Sequence, residues 1–139
     1  IMGVIYVPVM NWLYYGSSNG AFKVVDGKTK KLPIKNDRTN TVVVGSRSHP
    51  SVETAEYFEK LKKKYGEIEI VSMGSSLKIC LVAEGEADLY PRFAPTMEWD
   101  TAAGHAIANA AGKTLFDVDT KTAMLYNRKE LRNNWFIVS

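Results

Sequence analysis

Residues 99–112, WDTAAGHAIANAAG, constrain the fold more than any other stretch of this 139-residue chain. Alanine and glycine dominate the stretch, so a helix built from it lets other backbone come very close. Asp100 suits the N-cap position, because its carboxylate oxygens can accept hydrogen bonds from the first backbone N–H groups. Gly112 suits the C′ position, where glycine adopts a left-handed backbone at little cost. We therefore predict a helix that opens on Asp100 and closes on Gly112.

The start of this helix is also a candidate binding site. A helix N-terminus offers N–H donors and partial positive charge, both of which favour phosphate. Asp100 could then face a metal ion beside a bound phosphate, instead of only capping the helix. The stretch by itself favours the alternative, a well-capped structural helix. The choice between a binding site and a structural helix therefore depends on other residues of the chain.

Charge and cysteine content narrow the class of protein. The net charge of +3 fits an anionic ligand, but Lys and Arg are spread along the chain, so no nucleic-acid partner is expected. The single cysteine, Cys80, excludes an internal disulfide framework and indicates a reducing compartment, for which we expect the cytoplasm. No segment is long and apolar enough to predict a membrane span.

Two regions with different patterns meet near residue 40. Residues 1–40 are predicted to form antiparallel strands at 3–9, 11–15 and 21–25, followed by a polar loop from residue 30. Residues 41–139 alternate strands with helices, which is the pattern of a layered α/β domain. Strands are predicted at 41–45, 68–73, 87–93, 114–118 and 135–138, and helices after Ser51, over 77–84 and from Asp100.

Reactive side chains follow the strands of this second region. Ligands of α/β sheets usually bind at the carboxyl ends of strands, so these side chains are expected to share a pocket. Lys78 lies in the first turn of a predicted helix, where a cation opposes the helix dipole, and this misfit favours an anionic partner. The pattern predicts a pocket for a phosphorylated ligand with a metal ion, and its candidate residues are His49, Ser75, Ser76, Lys78, Arg92 and Asp100.

Each candidate also has a structural interpretation. His49, before a proline, could only mark a helix entry, and either serine could be an ordinary N-cap. Arg92 could lie across the aromatic residues beside it. His105 and Cys80 are expected to be packing residues, because each lies inside a helix away from its first turn. The sequence contains no Ser-His-Asp triad pattern, Cys-His metal cluster or Walker phosphate loop.

Several motifs resemble one family. WDTAAG at 99–104 matches the W-D-x-A-A-G signature of the inositol monophosphatase superfamily. GSSLKICLVAEG at 74–85, ADLYPRF at 87–93 and SRSH at 46–49 resemble its bacterial 3′(2′),5′-bisphosphate nucleotidase branch. The likeness covers essentially all 139 residues and corresponds to the later half of the family's chains. The earlier half carries an upstream glutamate and a D-P-x-D-G-T motif, which supply most metal ligands and have no counterpart in this sequence.

The resemblance implies a layered αβαβα sandwich and a magnesium-dependent, lithium-sensitive phosphatase of sulfur metabolism. Its substrate would be 3′-phosphoadenosine 5′-phosphate, hydrolysed to AMP by a metal-activated water. Asp100 matches the last metal ligand, and the nucleotide and its phosphates would contact His49, Ser75, Lys78 and Arg92. The general base belongs to the earlier half, so no catalytic residue is expected here. Residues 1–40 would be strands of the first domain and residues 41–139 the second domain.

Other functions stay open at this point. The alternatives are an inositol monophosphatase or fructose-1,6-bisphosphatase activity, or a non-catalytic phosphate-binding module. The cations Lys78 and Arg92 favour the nucleotidase over inositol monophosphatases, whose corresponding segments are typically not basic. An upstream D-P-x-D-G-T motif would support the enzyme, and a start codon at Ile1 would support the module. The 139 residues alone are expected to be inactive, and residues 3–15 to self-associate through exposed strand edges.

Overall fold

A computed structural model describes residues 1–45 and 51–139. Within these ranges the chain forms ten β-strands and three α-helices, together with one 3-10 turn at Pro8–Met10. The strands are β1 (Gly3–Val7), β2 (Trp12–Ser17), β3 (Gly20–Val25), β4 (Lys28–Leu32), β5 (Thr41–Val44), β6 (Ile68–Val71), β7 (Tyr90–Arg92), β8 (Leu115–Asp117), β9 (Thr122–Ala123) and β10 (Phe136–Val138). The helices are α1 (Val52–Tyr65), α2 (Leu77–Glu84) and α3 (Glu98–Ala110).

The first sheet is an antiparallel meander in the order β1-β2-β3-β4. The three predicted strands are present, but the prediction that the chain becomes a loop at residue 30 is wrong. β4 pairs with β3 from Val25↔Lys28 to Ala21↔Leu32. Its side chains are exposed except for Leu32, so no hydrophobic pattern marks this strand. The signal that the prediction did not use is Asp26-Gly27, whose φ angles of 50° and 72° form the two-residue turn that joins β3 to β4 as a hairpin.

The second sheet is mixed. β5 and β6 are parallel, and a parallel bridge between Val43 and Leu89 joins them to the segment that enters β7. Beyond β7 the order is β7-β10-β8-β9 with antiparallel pairs. The predicted α/β class is confirmed, with β5, β6 and the segment that enters β7 parallel to one another and β10, β8 and β9 adding antiparallel pairs. β10, near the end of the chain, pairs antiparallel with both β7 and β8, a long-range pairing that local patterns do not reveal.

The helices follow their predicted bounds with one correction. α2 covers the predicted residues 77–84, and α3 ends with Gly112 at C′, with φ of 78°. However, α3 begins at Glu98 and its N-cap is Met97, so Asp100 is not the N-cap. Asp100 is the third helical residue, and its Oδ2 accepts a hydrogen bond from the Met97 N–H at 2.8 Å. A carboxylate that reaches back in this way satisfies a donor outside the helix, as in a capping box.

α3 is the helix that joins the two sheets, because it contacts β1 and β2 on one side and β8 on another. Its small residues allow this, as predicted. A Cβ placed on Gly16 of β2 would lie 2.8 Å from the Ile107 Cα of α3, and one on Gly104 would lie 2.9 Å from the Ile79 Cδ1 of α2. One hydrophobic core therefore runs from the first sheet through α2 and α3 into the second sheet. No helix in the described ranges has the length and apolarity needed to cross a bilayer.

Candidate functional site

A cleft of about 300 Å³ opens where α2 and α3 begin and β7 ends. Four of the five residues assigned above to ligand or metal binding line it together, namely Ser75, Lys78, Arg92 and Asp100. The fifth, His49, lies outside the described residues. The remaining lining comes from the same helix starts, the Tyr90 ring, the segment after β7 and Phe136. Residues far apart in the sequence are therefore brought to one place, at the starts of α2 and α3 and the end of β7.

The start of α2 is held in an unusual backbone conformation. Ser75 has φ of 49°, in the left-handed region that non-glycine residues rarely adopt. Ser76 occupies the N-cap position, but its hydroxyl does not cap α2. The Ser76 Oγ instead donates a hydrogen bond to the Asp100 carbonyl oxygen at 3.2 Å. The first turns of α2 and α3 are therefore tied to each other at the edge of the cleft. Ser76 is the N-cap residue of α2, but without the side-chain hydrogen bond of an ordinary serine cap.

Two cations face this cleft. Lys78 is half-buried and its Nζ lies 5.8 Å from the centroid of the Tyr90 ring. Burial, and secondarily the positive charge of Arg92, lowers the pKa of Lys78. Neither cation has a salt bridge to any carboxylate of the described residues. Two uncompensated like charges in a partly desolvated cleft are stabilised by a bound anion.

The guanidinium of Arg92 has N–H donors that the described residues do not fully use. Its Nη2 donates to the Pro95 carbonyl oxygen at 3.4 Å, a long hydrogen bond. Its Nε is buried and has no hydrogen-bond partner among the described residues. A buried donor without a partner carries a desolvation cost that a ligand acceptor can relieve. Arg92 is thus suited to bind an oxyanion.

Asp100 provides a carboxylate at the rim of the same cleft. The side chain is exposed, and one oxygen is engaged by the Met97 N–H. A carboxylate oxygen is the hard ligand that magnesium prefers, so its chemistry fits such an ion. Yet within residues 1–45 and 51–139 no three His, Cys, Asp or Glu side chains cluster as metal ligands. This part of the chain can therefore contribute one ligand to a metal site but cannot complete one.

Asn133 supports the segment that lines the cleft, and no sequence pattern singles this residue out. The Nδ2 of this buried side chain, with its two N–H donors, lies within hydrogen-bond distance of three acceptors, the Thr96 Oγ1, the Met97 carbonyl oxygen and the Thr101 Oγ1, at 3.1, 2.8 and 3.1 Å. These contacts fix the segment that leads into α3. Asn133 lies in an irregular stretch before β10, where no motif or periodicity points to a role.

His105 and Cys80 are buried inside α3 and α2, as predicted for packing residues. The His105 Nδ1 lies 3.0 Å from the Tyr126 hydroxyl, and burial lowers the pKa of its imidazole against a smaller opposing effect of Asn109. Burial, followed by the negative charge of Glu84, raises the pKa of the Cys80 thiol to about 12. A thiol with such a pKa is protonated and unreactive near neutral pH.

Comparison with known sequences identifies relatives over the whole chain. The model of the inositol monophosphatase family matches residues 1–137. The 3′(2′),5′-bisphosphate nucleotidase CysQ of Salmonella typhimurium is 46% identical over 139 residues, which cover 100% of this chain and 54% of that protein. CysQ of Escherichia coli strain K12 is 47% identical with the same coverage. The chain spans about half the length of the curated relatives it matches.

Solved structures agree with this assignment. The crystal structure of CysQ from Bacteroides thetaiotaomicron matches with a TM-score of 0.93 at 48% identity, covering 100% of this chain and 57% of that one. Staphylococcal IMPase-II matches with a TM-score of 0.74 at 19% identity, over 99% of this chain and 51% of the other, which is a likeness of fold alone. By fold, by the family model and by identity along its whole length, this chain belongs to the inositol monophosphatase family.

Proposed function

We propose that this chain is part of a phosphatase that removes the 3′-phosphate of 3′-phosphoadenosine 5′-phosphate, giving AMP and phosphate. The observation that carries the proposal is the pair of unbridged cations, Lys78 and Arg92, in one cleft with the carboxylate of Asp100. A monophosphate ester needs fewer positive charges than a bisphosphate. The names of the CysQ relatives, which describe bisphosphate nucleotidases, support the same substrate class.

The proposed roles follow from the chemistry of each side chain. Lys78 and Arg92 bind phosphate oxygens through charge-assisted hydrogen bonds, which are stronger than neutral ones. Ser75 adds a hydroxyl and, through its left-handed backbone, turns the chain so that the start of α2 faces the ligand. His49 stays a proposed contact to the nucleotide, since it lies outside the described residues.

We propose magnesium as the metal, held partly by Asp100. When bound, such an ion lowers the pKa of a coordinated water and stabilises charge on the leaving oxygen. Asp100 would contribute a carboxylate to such an ion, and the hydrogen bond from the Met97 N–H would hold that carboxylate in place. The other ligands would have to come from outside the described residues, in which no three acidic, His or Cys side chains cluster. A single carboxylate binds magnesium weakly, because the ion gives up its waters reluctantly. The 139 residues alone should therefore release no measurable phosphate.

The proposed compartment is the cytoplasm. A reduced thiol fits it, because Cys80 is the only cysteine in the chain and is buried.

The test is a comparison of substrates with the full-length gene product that contains these residues. Phosphate release is measured from 3′-phosphoadenosine 5′-phosphate and from inositol 1-phosphate, with and without magnesium. We expect magnesium-dependent release from the bisphosphate to exceed release from the inositol phosphate greatly. Equal rates, or a preference for inositol 1-phosphate, would instead identify an inositol monophosphatase. Release from neither substrate, with phosphate still bound, would identify a non-catalytic module.

A further inference from the structure

A buried ion pair lies away from the cleft and takes no part in the proposed reaction. The Lys23 Nζ lies 2.7 Å from the Glu84 Oε2, and the two residues are 8% and 2% exposed. The Tyr14 hydroxyl donates to the same Glu84 oxygen at 3.0 Å, and the Lys23 Nζ lies 3.8 Å from the centroid of the Trp12 ring. Every charge in this cluster therefore has a partner.

Such a pair is a poor way to gain stability. Removing two charges from water is costly, and well-packed apolar residues often stabilise a protein as well or better. What an ion pair adds is a defined distance and direction, because the two charged groups must meet to avoid an unpaired buried charge. Apolar side chains can slide against each other without a comparable cost. The positions of Lys23 and Glu84 in the fold show which two elements the ion pair holds at a fixed distance.

The pair connects the first sheet to one end of α2. Lys23 belongs to β3, and Glu84 is the last residue of α2. The Glu84 carbonyl oxygen also accepts a hydrogen bond from the Ile34 N–H at 2.8 Å, so main chain and side chain of Glu84 are both anchored. α2 is a rod of eight residues, about 12 Å long. Its opposite end presents Ser76 and Lys78 to the cleft.

We propose that Lys23 and Glu84 are positioning residues that fix α2 along its own axis. In this role the pair sets how far Lys78 reaches towards Arg92, and whether the Ser76 hydroxyl meets the Asp100 carbonyl. Tyr14 assists by holding the Glu84 carboxylate on the side of Lys23. The inference deepens the proposed function, and it depends on that function only in taking phosphate as the ligand of the cleft.

The test replaces the pair in the full-length gene product. Lys23→Met alone leaves the Glu84 carboxylate buried with the Tyr14 hydroxyl but without a counter-ion, and should lower the melting temperature. Combining it with Glu84→Gln removes both charges and keeps an acceptor for the Tyr14 hydroxyl, so much of the loss should be regained. Leu61→Ala is the matched control, because Leu61 lies in the separate core cluster of α1, β5 and β6. Melting temperature, the Kd for inorganic phosphate and the amide NMR shifts of residues 75–78 are measured for each variant.

In the combined variant we expect the melting temperature to recover while the phosphate Kd stays about tenfold higher, the loss of roughly one hydrogen bond to a charged group. The amides of residues 75–78 should shift even without phosphate. Leu61→Ala should lower the melting temperature but leave the phosphate Kd unchanged. A combined variant with recovered melting temperature, wild-type phosphate affinity and wild-type shifts would overturn the proposal, since the pair would then serve stability only.

The test also covers a combined variant that does not fold and a wild-type protein that binds no phosphate. If the combined variant does not fold, Lys23→Arg replaces it, because a larger planar cation pairs with Glu84 at a different distance. We then expect a folded protein with weaker phosphate binding, and unchanged binding or failure to fold would overturn the inference. If the wild-type protein binds no phosphate, the proposed function fails. The shifts of residues 75–78 in the variants still decide whether the pair positions α2.

Discussion

At the scale of single residues, the cleft is defined by charges that the rest of the fold leaves unpaired. Lys78 and Arg92 form no salt bridge within the described ranges, whereas Arg38 is paired with Asp88 at 2.6 Å, and Lys23 with Glu84. Burial lowers the pKa of Lys78 and the charge of Arg92 lowers it further. The repulsion between Lys78 and Arg92 is thus not offset by a carboxylate of the described residues, whereas the charges of Lys23 and Arg38 are.

Removing one cation should weaken substrate binding more than turnover. Lys78→Ala or Arg92→Ala deletes a charge-assisted hydrogen bond worth about 1.5–3 kcal/mol, which is a rise of roughly 10- to 150-fold in KM. Initial-rate kinetics with the bisphosphate in the full-length gene product measure this. Lys60→Ala, on the exposed face of α1, makes the same change of charge away from the cleft and should leave KM unchanged. An unaltered KM in Lys78→Ala would remove the lysine from the binding site.

Neutralising Asp100 should affect turnover instead. Asp100→Asn keeps an oxygen to accept the Met97 N–H, so α3 should still begin where it does. An amide is a poor magnesium ligand, and losing several kcal/mol of metal-assisted stabilisation would lower kcat by about 1,000-fold. Rates are measured over a range of magnesium concentrations, with melting temperature as the check on folding. Near-normal turnover at saturating magnesium would show that Asp100 is not a ligand.

At the scale of elements, the small-residue surface of α3 explains how the two sheets share one core. Ala103 and Ala106 of α3 lie against Gly3, and Ile107 and Ala110 lie against Gly16, so glycines in β1 and β2 meet the helix backbone directly. On another side of α3, Gly104 packs on Ile79 of α2, and the two helices also meet where Ser76 donates to the Asp100 carbonyl oxygen. The geometry of the cleft therefore depends on residues that do not line it.

A methyl group at this contact should be costly. Gly16→Ala places a Cβ 2.8 Å from the Ile107 Cα and 3.0 Å from the Ala110 Cβ, so β2 and α3 must separate. Overpacking of this kind costs about 1–3 kcal/mol of unfolding free energy. Chemical denaturation compares it with Gly74→Ala, where a Cβ meets nothing within 4 Å. Equal stability of the two variants would mean that the contact between β2 and α3 is looser than described.

Local patterns predicted the helices better than the strands. The bounds of α2 followed from Ser76 before it and Gly85 after it, which are local signals. β4 and β9 were missed, because one is an exposed lysine-rich strand and the other has two residues. Each pairs with the strand just before it, β4 with β3 across the Asp26-Gly27 turn and β9 with β8 across four residues, so both depend on hairpin turns that the prediction did not extend into strands. The α3 start was misplaced because aspartate is favoured both at the N-cap and in the first turn, where the Asp100 carboxylate accepts the N–H of the N-cap residue Met97.

Local signals also decide which residues of the candidate site could be predicted from the sequence. Ser75, Lys78, Arg92 and Asp100 could be found, because each lies at the end of an element and within a family motif. Asn133 could not, because its role comes from hydrogen bonds to a segment more than thirty residues earlier. Lys23 and Glu84 could not be paired either, since nothing local links a lysine in a strand to a glutamate in a distant helix.

At the scale of the whole molecule, the described residues bring the starts of α2 and α3 and the end of β7 together in a cleft that holds the carboxylate of Asp100. The division near residue 40 stays a prediction, supported by the first sheet ending at Leu32 and the second beginning at Thr41. The hydrophobic core crosses that division through α3. Two sheets with a shared core are expected to move as one body rather than as separate domains.

The first sheet should also promote self-association of the 139-residue chain. In the described chain β1 is an edge strand, and Val4 and Tyr6 on it are 48% and 55% exposed. Edges with apolar side chains pair readily with other copies. Analytical ultracentrifugation should show concentration-dependent oligomers, and Val4→Lys with Tyr6→Lys should suppress them. A chain that stays monomeric at high concentration would show that residues 3–15 are not such a surface.

The most direct test of the central claim, that this cleft recognises a nucleotide bisphosphate, is isothermal titration calorimetry on the chain itself. 3′-Phosphoadenosine 5′-phosphate and inositol 1-phosphate are titrated into the wild type and into Arg92→Ala. The additional charge-assisted contact predicts binding of the bisphosphate at least about tenfold more tightly than inositol 1-phosphate, and loss of most of that difference in Arg92→Ala. Equal affinity for the two ligands, or a preference for the bisphosphate that survives Arg92→Ala, would contradict the assignment of the cleft.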